Sequence, residues 1–316
     1  MRAAAIDVGS NTVRLLIADV RGRGPWRVVA QDQMVTRLGE GLAAAGALGE
    51  APMARTLAVV LDYAGRARAL GASAVRIVAT SAVREAGNGR AFAAAVERAA
   101  GVPVEILSGE EEARLALRGV RRGLPDLGGA LVTFDIGGGS TEYVLAHEDA
   151  VRAAVSLRLG VVPLAERFPF RDAVDWGRYQ ALRDEVSGRL ARELPAGIRE
   201  SRPAHLVGTA GTVTTLAALD LGLARYDPSR VHGHVLGRRA VAAQLARLGA
   251  LPVAGRAALP CLEPGRADLI VPGIAIVQAT LDCLGVDALV VSEYGLREGL
   301  LVDALEGPRH PPHAAP

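Results

Sequence analysis

The sequence predicts an α/β protein of two related halves with a cleft between them. Three observations carry that expectation. First, two segments read alike: Ile6-Asp7-Val8-Gly9-Ser10-Asn11-Thr12-Val13-Arg14-Leu15-Leu16-Ile17 and Phe134-Asp135-Ile136-Gly137-Gly138-Gly139-Ser140-Thr141-Glu142-Tyr143-Val144-Leu145. Each is an apolar run, an Asp, an apolar residue, Gly, a small polar turn and a second apolar run. Second, the element order βββ-α-β-α, read from hydrophobic periodicity, occurs twice. Third, Pro125-Asp126-Leu127-Gly128-Gly129 punctuates the chain where the second copy begins. The expected domains are 1–125 and 126–307, with a Pro/His/Ala-rich tail over 308–316 expected to be disordered.

Taken in order, residues 3–8 and 13–20 read as strands joined by a Gly-Ser-Asn-Thr turn, and 26–35 as a third strand. A Gly/Ala-rich loop runs from Gly39 to Gly49. Residues 52–70 show helical spacing, with Leu57, Val60, Leu61, Ala64 and Ala67 on one face, and Gly71 stops the helix. Residues 74–79 are a short buried strand, 89–100 a helix, and 104–107 a strand. Ser108 caps a helix reaching about Arg122. The pattern restarts with strands over 130–147 and 151–159 and a helix over 175–193. Residues 205–207 form a strand leading to a helix from about Val213. Residues 238–249 and 266–284 are helical, 288–292 a strand, and 295–305 a final helix.

Composition narrows the function. The chain has 316 residues, enough for two ordinary domains, and half of them are hydrophobic. It contains no Lys, so every cationic side chain is Arg, which suits bidentate phosphate contacts. A net charge of only +2 without an aromatic stacking motif speaks against nucleic-acid binding. No apolar stretch is long enough for a membrane span, and no signal-peptide core precedes Asp7. Cys261 and Cys283 stand alone without a CxxC motif, the pattern of core thiols in a reduced, cytoplasmic protein.

The two Asp-x-Gly turns are the main chemical signal. Singly, each reads as an ordinary hairpin; as a pair, they read as a phosphate cradle. Gly137, Gly138 and Gly139 let backbone amides approach an anion, and Ser10, Asn11, Thr12, Ser140 and Thr141 add polar side chains. Neither turn is a Walker loop, since no Gly-Lys-Ser/Thr follows. Ser108-Gly109-Glu110-Glu111-Glu112-Ala113-Arg114 places three carboxylates at a helix start. They complement the helix dipole, or one of them points into the cleft and activates water. Arg84 either pairs with a nearby Glu or clamps a phosphate. Gly208-Thr209-Ala210-Gly211-Thr212 is a third turn, read either as packing or as an anion site at a helix N-terminus. His232 and His234 lack a third ligand nearby and read as a loop rather than a metal pair.

Together these stretches resemble the exopolyphosphatase / guanosine pentaphosphate phosphatase family of the actin–sugar kinase–heat-shock ATPase superfamily. Ala79-Thr80-Ser81-Ala82-Val83-Arg84-Glu85-Ala86, Arg266-Ala267-Asp268, Pro272-Gly273 and Gly295-Leu296-Arg297-Glu298-Gly299 extend the match to about residue 305. The resemblance implies two ribonuclease H-like (actin-like ATPase) domains with duplicated βββαβα topology and an interdomain cleft. It implies Mg²⁺-dependent release of terminal phosphate from inorganic polyphosphate, or of the 5′ γ-phosphate from guanosine pentaphosphate. By motif, Glu112 is the catalytic base, with Glu111 as fallback, and Glu142 helps hold the water or metal. Asp7 and Asp135 position Mg²⁺. Ser10, Asn11, Thr12, Arg84, Gly137, Gly138, Gly139, Ser140, Thr141, Gly208 and Thr209 hold phosphate. Longer members carry a further C-terminal domain absent here, which counts against processive action on very long chains. A sugar or acetate-type kinase and a nucleotide-gated binding protein are the competing readings. A homodimer is an open option.

Overall fold

Three apolar runs joined by short turns open each half, and each set folds as an antiparallel meander. A computed structural model describes residues 1–22, 26–148 and 150–306; the tail expected to be disordered, 308–316, lies outside them. The first half runs β1 (Arg2–Val8), β2 (Thr12–Asp19), β3 (Arg27–Val35), α1 (Leu42–Ala45), α2 (Glu50–Ala69), β4 (Ala74–Ala79), α3 (Ser81–Glu85), α4 (Gly89–Ala100), β5 (Val104–Ile106) and α5 (Gly109–Gly123). The second begins with β6 (Ala130–Ile136), β7 (Thr141–His147), β8 (Ala150–Leu157), α6 (Val161–Arg167), α7 (Trp176–Glu193) and α8 (Ala196–Arg199). It continues through β9 (His205–Thr209), α9 (Ala210–Asp220), α10 (Pro228–Val231), β10 (Val235–Gly237), α11 (Arg238–Gly249) and α12 (Val253–Ala257). It closes with α13 (Ile270–Leu284), β11 (Ala288–Ser292) and α14 (Leu296–Glu306).

The first sheet has the order β3-β2-β1-β4-β5, and the second β10-β11-β9-β6-β7-β8. Read from the meander outward, the second repeats the first as β8-β7-β6-β9-β11. The short antiparallel strand β10, which the sequence reading lacks, is added at its edge. In both sheets the first meander strand pairs in parallel with the next strand, β1 with β4 and β6 with β9, across a helical crossover. The duplicated α/β architecture expected from the sequence is therefore present.

Local sequence explains the boundaries. Helix α2 ends where Leu70 and then Gly71 (φ 73°) reverse the chain, as a left-handed glycine permits. Its buried stripe is Thr56, Val60, Tyr63, Ala64 and Ala67, rotated slightly from the expected face, so Leu57 and Leu61 lie at its margin. Helix α9 begins three residues earlier than expected, at Ala210, whose backbone is left-handed (φ 68°).

Strand β1 is buried on both faces, and its alternation sorts the layers. Ala4, Ile6 and Val8 pack with Val60, Tyr63 and Ala64 of α2. Ala3 and Ala5 pack with Leu300 and Leu301 of α14. Thus the last helix among the described residues lies on the first sheet. Reciprocally, Ala113, Leu117 and Val120 of α5 pack on the second sheet against Leu131, Val144, Ala146 and Val207. The two helices cross between the sheets and tie the lobes together.

Their crossing is close because glycines form it. A Cβ on Gly119 would collide with the Gly295 carbonyl, and one on Gly299 with the Leu115 carbonyl. Backbone cannot give way as a flexible side chain can. Gly299→Ala is therefore expected to lower stability by about 1–3 kcal/mol, measured by thermal unfolding. Gly65→Ala, in open space within α2, should be neutral or slightly stabilising.

Candidate active site

Each meander places its turn at the same point. In the first, Gly9 N–H donates to Thr12 O at 3.1 Å; in the second, Gly137 N–H donates to Ser140 O at 2.9 Å. The turn carbonyls are tied back by other elements. Asn11 O accepts from Thr36 and Arg37 N–H, and Ser10 O from Gly39 N–H. Gly137 O and Gly138 O accept from Val161 and Val162 N–H at the start of α6. The amides of Ser10, Asn11, Gly138 and Gly139 donate to no protein acceptor among the described residues. Such concavities of free N–H groups attract anions.

The two turns face each other and touch. A Cβ on Gly138 would stand 2.9 Å from Asn11 N, and one on Gly139 2.7 Å from Ser10 Oγ. Beside them lies a cavity of about 80 Å³, lined by both loops, Asp7, Asp135, Glu112, Thr80, Ser81 and Arg14. It shares the walls Asp7, Arg14, Asp135 and Arg266 with a larger cavity of about 510 Å³. The helix α9 N-terminus contributes Gly211 and Thr212 to the smaller space.

The three consecutive glutamates have three fates, set by the helical rotation of about 100° per residue. Glu110 is exposed and pairs with Arg114 at 2.6 Å. Glu111 accepts Ser108 N–H at 2.8 Å while Ser108 Oγ accepts Glu111 N–H, forming a capping box. Only Glu112 reaches the cavity, which removes Glu111 as the fallback base. The signal was present in the sequence: Ser108-x-x-Glu111 is the capping-box pattern.

Several other expected phosphate ligands are occupied elsewhere. Arg84 does not line either cavity: its Nη1 donates to Leu107 O at 2.8 Å and to Glu112 Oε2 at 3.0 Å. The Thr141 hydroxyl donates to Leu159 O. Gly208 sits inside the sheet, where a Cβ would press on the Phe134 ring. Thr209 borders the larger cavity, yet its hydroxyl donates to Ser292 O at 3.0 Å. The third turn therefore meets the smaller cavity three residues later than expected, at Gly211 and Thr212. His232 is held by Gly123 O and Glu293 N–H, and His234 by Asp220.

Glu142 is buried behind the cavity. The hydroxyls of Ser140 and Ser156 both donate to its Oε1, at 2.6 and 2.7 Å. Burial raises the Glu142 carboxyl to about 7; Asp135 adds to the shift, and the two serines and Arg84 oppose it. Glu112 is pushed well above the usual carboxylate range by burial and by Glu142, against the pull of Arg84. Burial raises Asp135 to about 6, and Asp7 also lies above its ordinary value for the same reason; Arg14 opposes both shifts. Four buried carboxylates thus share this corner, opposed chiefly by Arg14 and Arg84.

Arg14 and Arg266 carry no role in the sequence reading, yet both line the cavity. Arg14 lies across the hairpin from Asp7, with Nη1 3.8 Å from Asp7 Oδ2. Its counterpart in the second copy is Glu142, across from Asp135. Arg266 ends a short 3-10 turn, Pro264–Arg266, before α13 and lies so close to Gly211 that a Cβ there would collide with its guanidinium.

A divalent cation fits this donor set. Asp7 Oδ1, Ser10 Oγ and Asn11 Oδ1 are buried without any hydrogen-bond partner. Among the described residues no group of three or more His, Cys, Asp or Glu is arranged to hold a metal. Two carboxylates completed by waters and substrate oxygens are the arrangement Mg²⁺ favours. Among the described residues no helix is long and apolar enough to cross a membrane.

Comparison with known proteins identifies the family. The family model of the Ppx/GppA phosphatase family matches residues 16–307. The chain is 36% identical to exopolyphosphatase 2 of Mycobacterium tuberculosis, over 95% of this chain and 97% of that one. It is 30% identical to exopolyphosphatase 1 of the same organism, over 97% and 89%. Among solved structures, the Ppx/GppA family member of Aquifex aeolicus superposes with a TM-score of 0.83 at 33% identity, over 98% of this chain and 99% of that one. An exopolyphosphatase from Cytophaga hutchinsonii gives 0.90 at 26% identity, over 97% and 98%. The chain belongs to the Ppx/GppA phosphatase family and has its two-domain actin-like ATPase fold.

Proposed function

We propose that this protein is an exopolyphosphatase, releasing the terminal phosphate of inorganic polyphosphate by direct attack of water. The observation that carries the reading is the convergence on one cavity of two facing amide-lined loops, two buried aspartates and a single glutamate. The loop amides hold the non-bridging oxygens of the terminal group, with Arg14 and Arg266 adding positive charge. Asp7 and Asp135 would hold Mg²⁺, which supplies further neutralisation of the phosphate charge. Glu112 accepts the proton of the attacking water, and its elevated proton affinity suits that role. Arg84 orients the Glu112 carboxylate rather than the substrate. Glu142, fixed by two hydroxyls, stands behind the base.

A second reading, guanosine pentaphosphate as substrate, draws support from the larger cavity. Beyond the shared aspartates its wall carries Asp32, Glu263, Glu293 and Glu298 as well as Tyr226. Its volume of about 510 Å³ is that of a small-molecule pocket, and Arg14, Arg266 and Arg297 share the wall with those carboxylates. The test is phosphate release with Mg²⁺ from short polyphosphate, long polyphosphate and guanosine pentaphosphate at equal concentration. Fastest release from polyphosphate supports the first reading. Release from the nucleotide alone replaces it with the second, and release from none removes both.

The Arg84–Glu112 pair makes a pH prediction. Arg84 favours the ionised base, so Arg84→Met should raise the proton affinity of Glu112 further. The acidic limb of the rate profile, where the base is still protonated, should move to higher pH, with a lower rate near neutrality. An unmoved limb in a variant of normal thermal stability would remove Arg84 from this role.

A further inference from the structure

A seam crosses the cleft mouth away from the reacting groups. Gln33 and Val35 share one face of β3, and Arg37 follows just beyond its end. All three meet one short segment of the opposite lobe, residues 263–268. The Gln33 side chain donates to Glu263 Oε2 at 3.1 Å and accepts from Arg266 Nη2 at 3.0 Å. Val35 packs on Gly265, where a Cβ would stand 3.0 Å from a Val35 methyl. Arg37 grips Asp268 with two bonds, 2.9 and 3.0 Å, and donates to Gly265 O at 3.2 Å.

Each end of the seam is anchored to the candidate active site. On one side, Thr36 and Arg37 N–H donate to Asn11 O at 3.0 and 2.9 Å, and Gly39 N–H donates to Ser10 O at 2.7 Å. These bonds fix the first phosphate loop from behind. Arg37 itself has a left-handed backbone, φ 52°, a conformation that bulky residues adopt only when their surroundings hold it. On the other side, Arg266 lies two residues before Asp268 and lines both cavities.

We propose that Arg37 and Asp268 form a clasp that couples closure of the two lobes to the seating of Arg266 beside the first phosphate loop. Both are positioning residues, and the inference rests on the reading of the smaller cavity as the phosphate site. The clasp can form only when the lobes are together, so its binding free energy belongs to the closed state alone. Without it the closed, binding-competent state is less populated, and apparent substrate affinity falls in proportion. The planar guanidinium suits this task because both carboxylate oxygens are gripped at once; an ammonium would make a single point contact.

The test combines two readouts on Asp268→Asn, Arg37→Met, Arg37→Lys and the charge-exchanged pair Arg37→Asp with Asp268→Arg. Phosphate release from short polyphosphate should show KM raised about 5- to 20-fold in the first two, with kcat changed much less. Arg37→Lys and the exchanged pair should recover part of the loss. In the free protein, amide hydrogen exchange over residues 36–39 and 263–268 should quicken in Asp268→Asn and Arg37→Met while α13 is unchanged. Unchanged exchange overturns the clasp, as does quickened exchange with an unchanged KM. A fall in kcat alone, tracking lost thermal stability, also overturns it. If the wild type releases no phosphate from polyphosphate, the proposed activity fails on its own, and the exchange readout still judges the clasp.

Discussion

Glu112→Gln is expected to reduce phosphate release by about 10²- to 10⁴-fold, the range for removing a positioned general base. The amide keeps the size and shape of the side chain but cannot take the water's proton. The fold should survive, because the wild-type carboxylate is disfavoured where it sits: burial and the neighbouring Glu142 both resist its ionisation. Between the ordinary glutamate range and its raised folded value, Glu112 keeps in the folded state a proton that the unfolded chain gives up. The wild type therefore loses stability as pH rises from the ordinary glutamate range through the elevated folded value. A permanently neutral Gln escapes that loss, so the variant should melt no lower than the wild type at neutral pH. Near-normal phosphate release would exclude Glu112 as the base, and a collapsed melting temperature would show a structural role instead.

Gly139→Val is expected to cost about 10²-fold or more in activity, the order that follows from a displacement of about 1 Å in a reacting constellation. Gly139 is where the second loop meets the first. A Cβ there would collide with the Ser81 hydroxyl and stand 2.7 Å from that of Ser10. The two hydroxyls can turn aside from a lone Cβ, but the two further methyls of valine press the loops apart, which moves the free amides of Gly138 and Gly139 away from those of Ser10 and Asn11. Overall stability should change less than activity, since the strain falls on a loop contact and not on the core. Steady-state phosphate release and thermal unfolding, measured together, check both parts. A fully active variant would mean that the loops need not approach each other.

Much of this architecture was legible because it is local. The twin hairpins, the strand at 74–79, the helix at 89–100 and the strand at 288–292 follow from periodicity and from glycine or capping signals within a few residues. The position of Glu112 at a helix start was legible for the same reason. The exchange of α5 and α14 between lobes was not. It depends on which sheet each apolar helix face finds, and Ala3 and Ala5 show only small residues without naming their partner. Arg14 could have been placed, because a hairpin turning at Gly9 sets it across from Asp7. Arg266 falls in a motif of the family resemblance, but nothing local assigns it a role, since a turn more than two hundred residues away delivers it. Arg84, Thr141 and Gly208 carried the right chemistry or shape for phosphate, but their neighbours engage or enclose them. Motif spacing reports which residue types approach a site and leaves open which side chains still have an unoccupied bond to offer.

The most direct test of the central claim is single-turnover hydrolysis of a short polyphosphate in heavy-oxygen water with Mg²⁺. In the proposed mechanism the terminal group lies between the two loops and water attacks its phosphorus. This mechanism predicts one heavy oxygen in each released phosphate, none in the shortened chain, and no phosphate bound covalently to the protein. Label appearing in the remaining chain, or a phosphorylated side chain trapped during turnover, would contradict it.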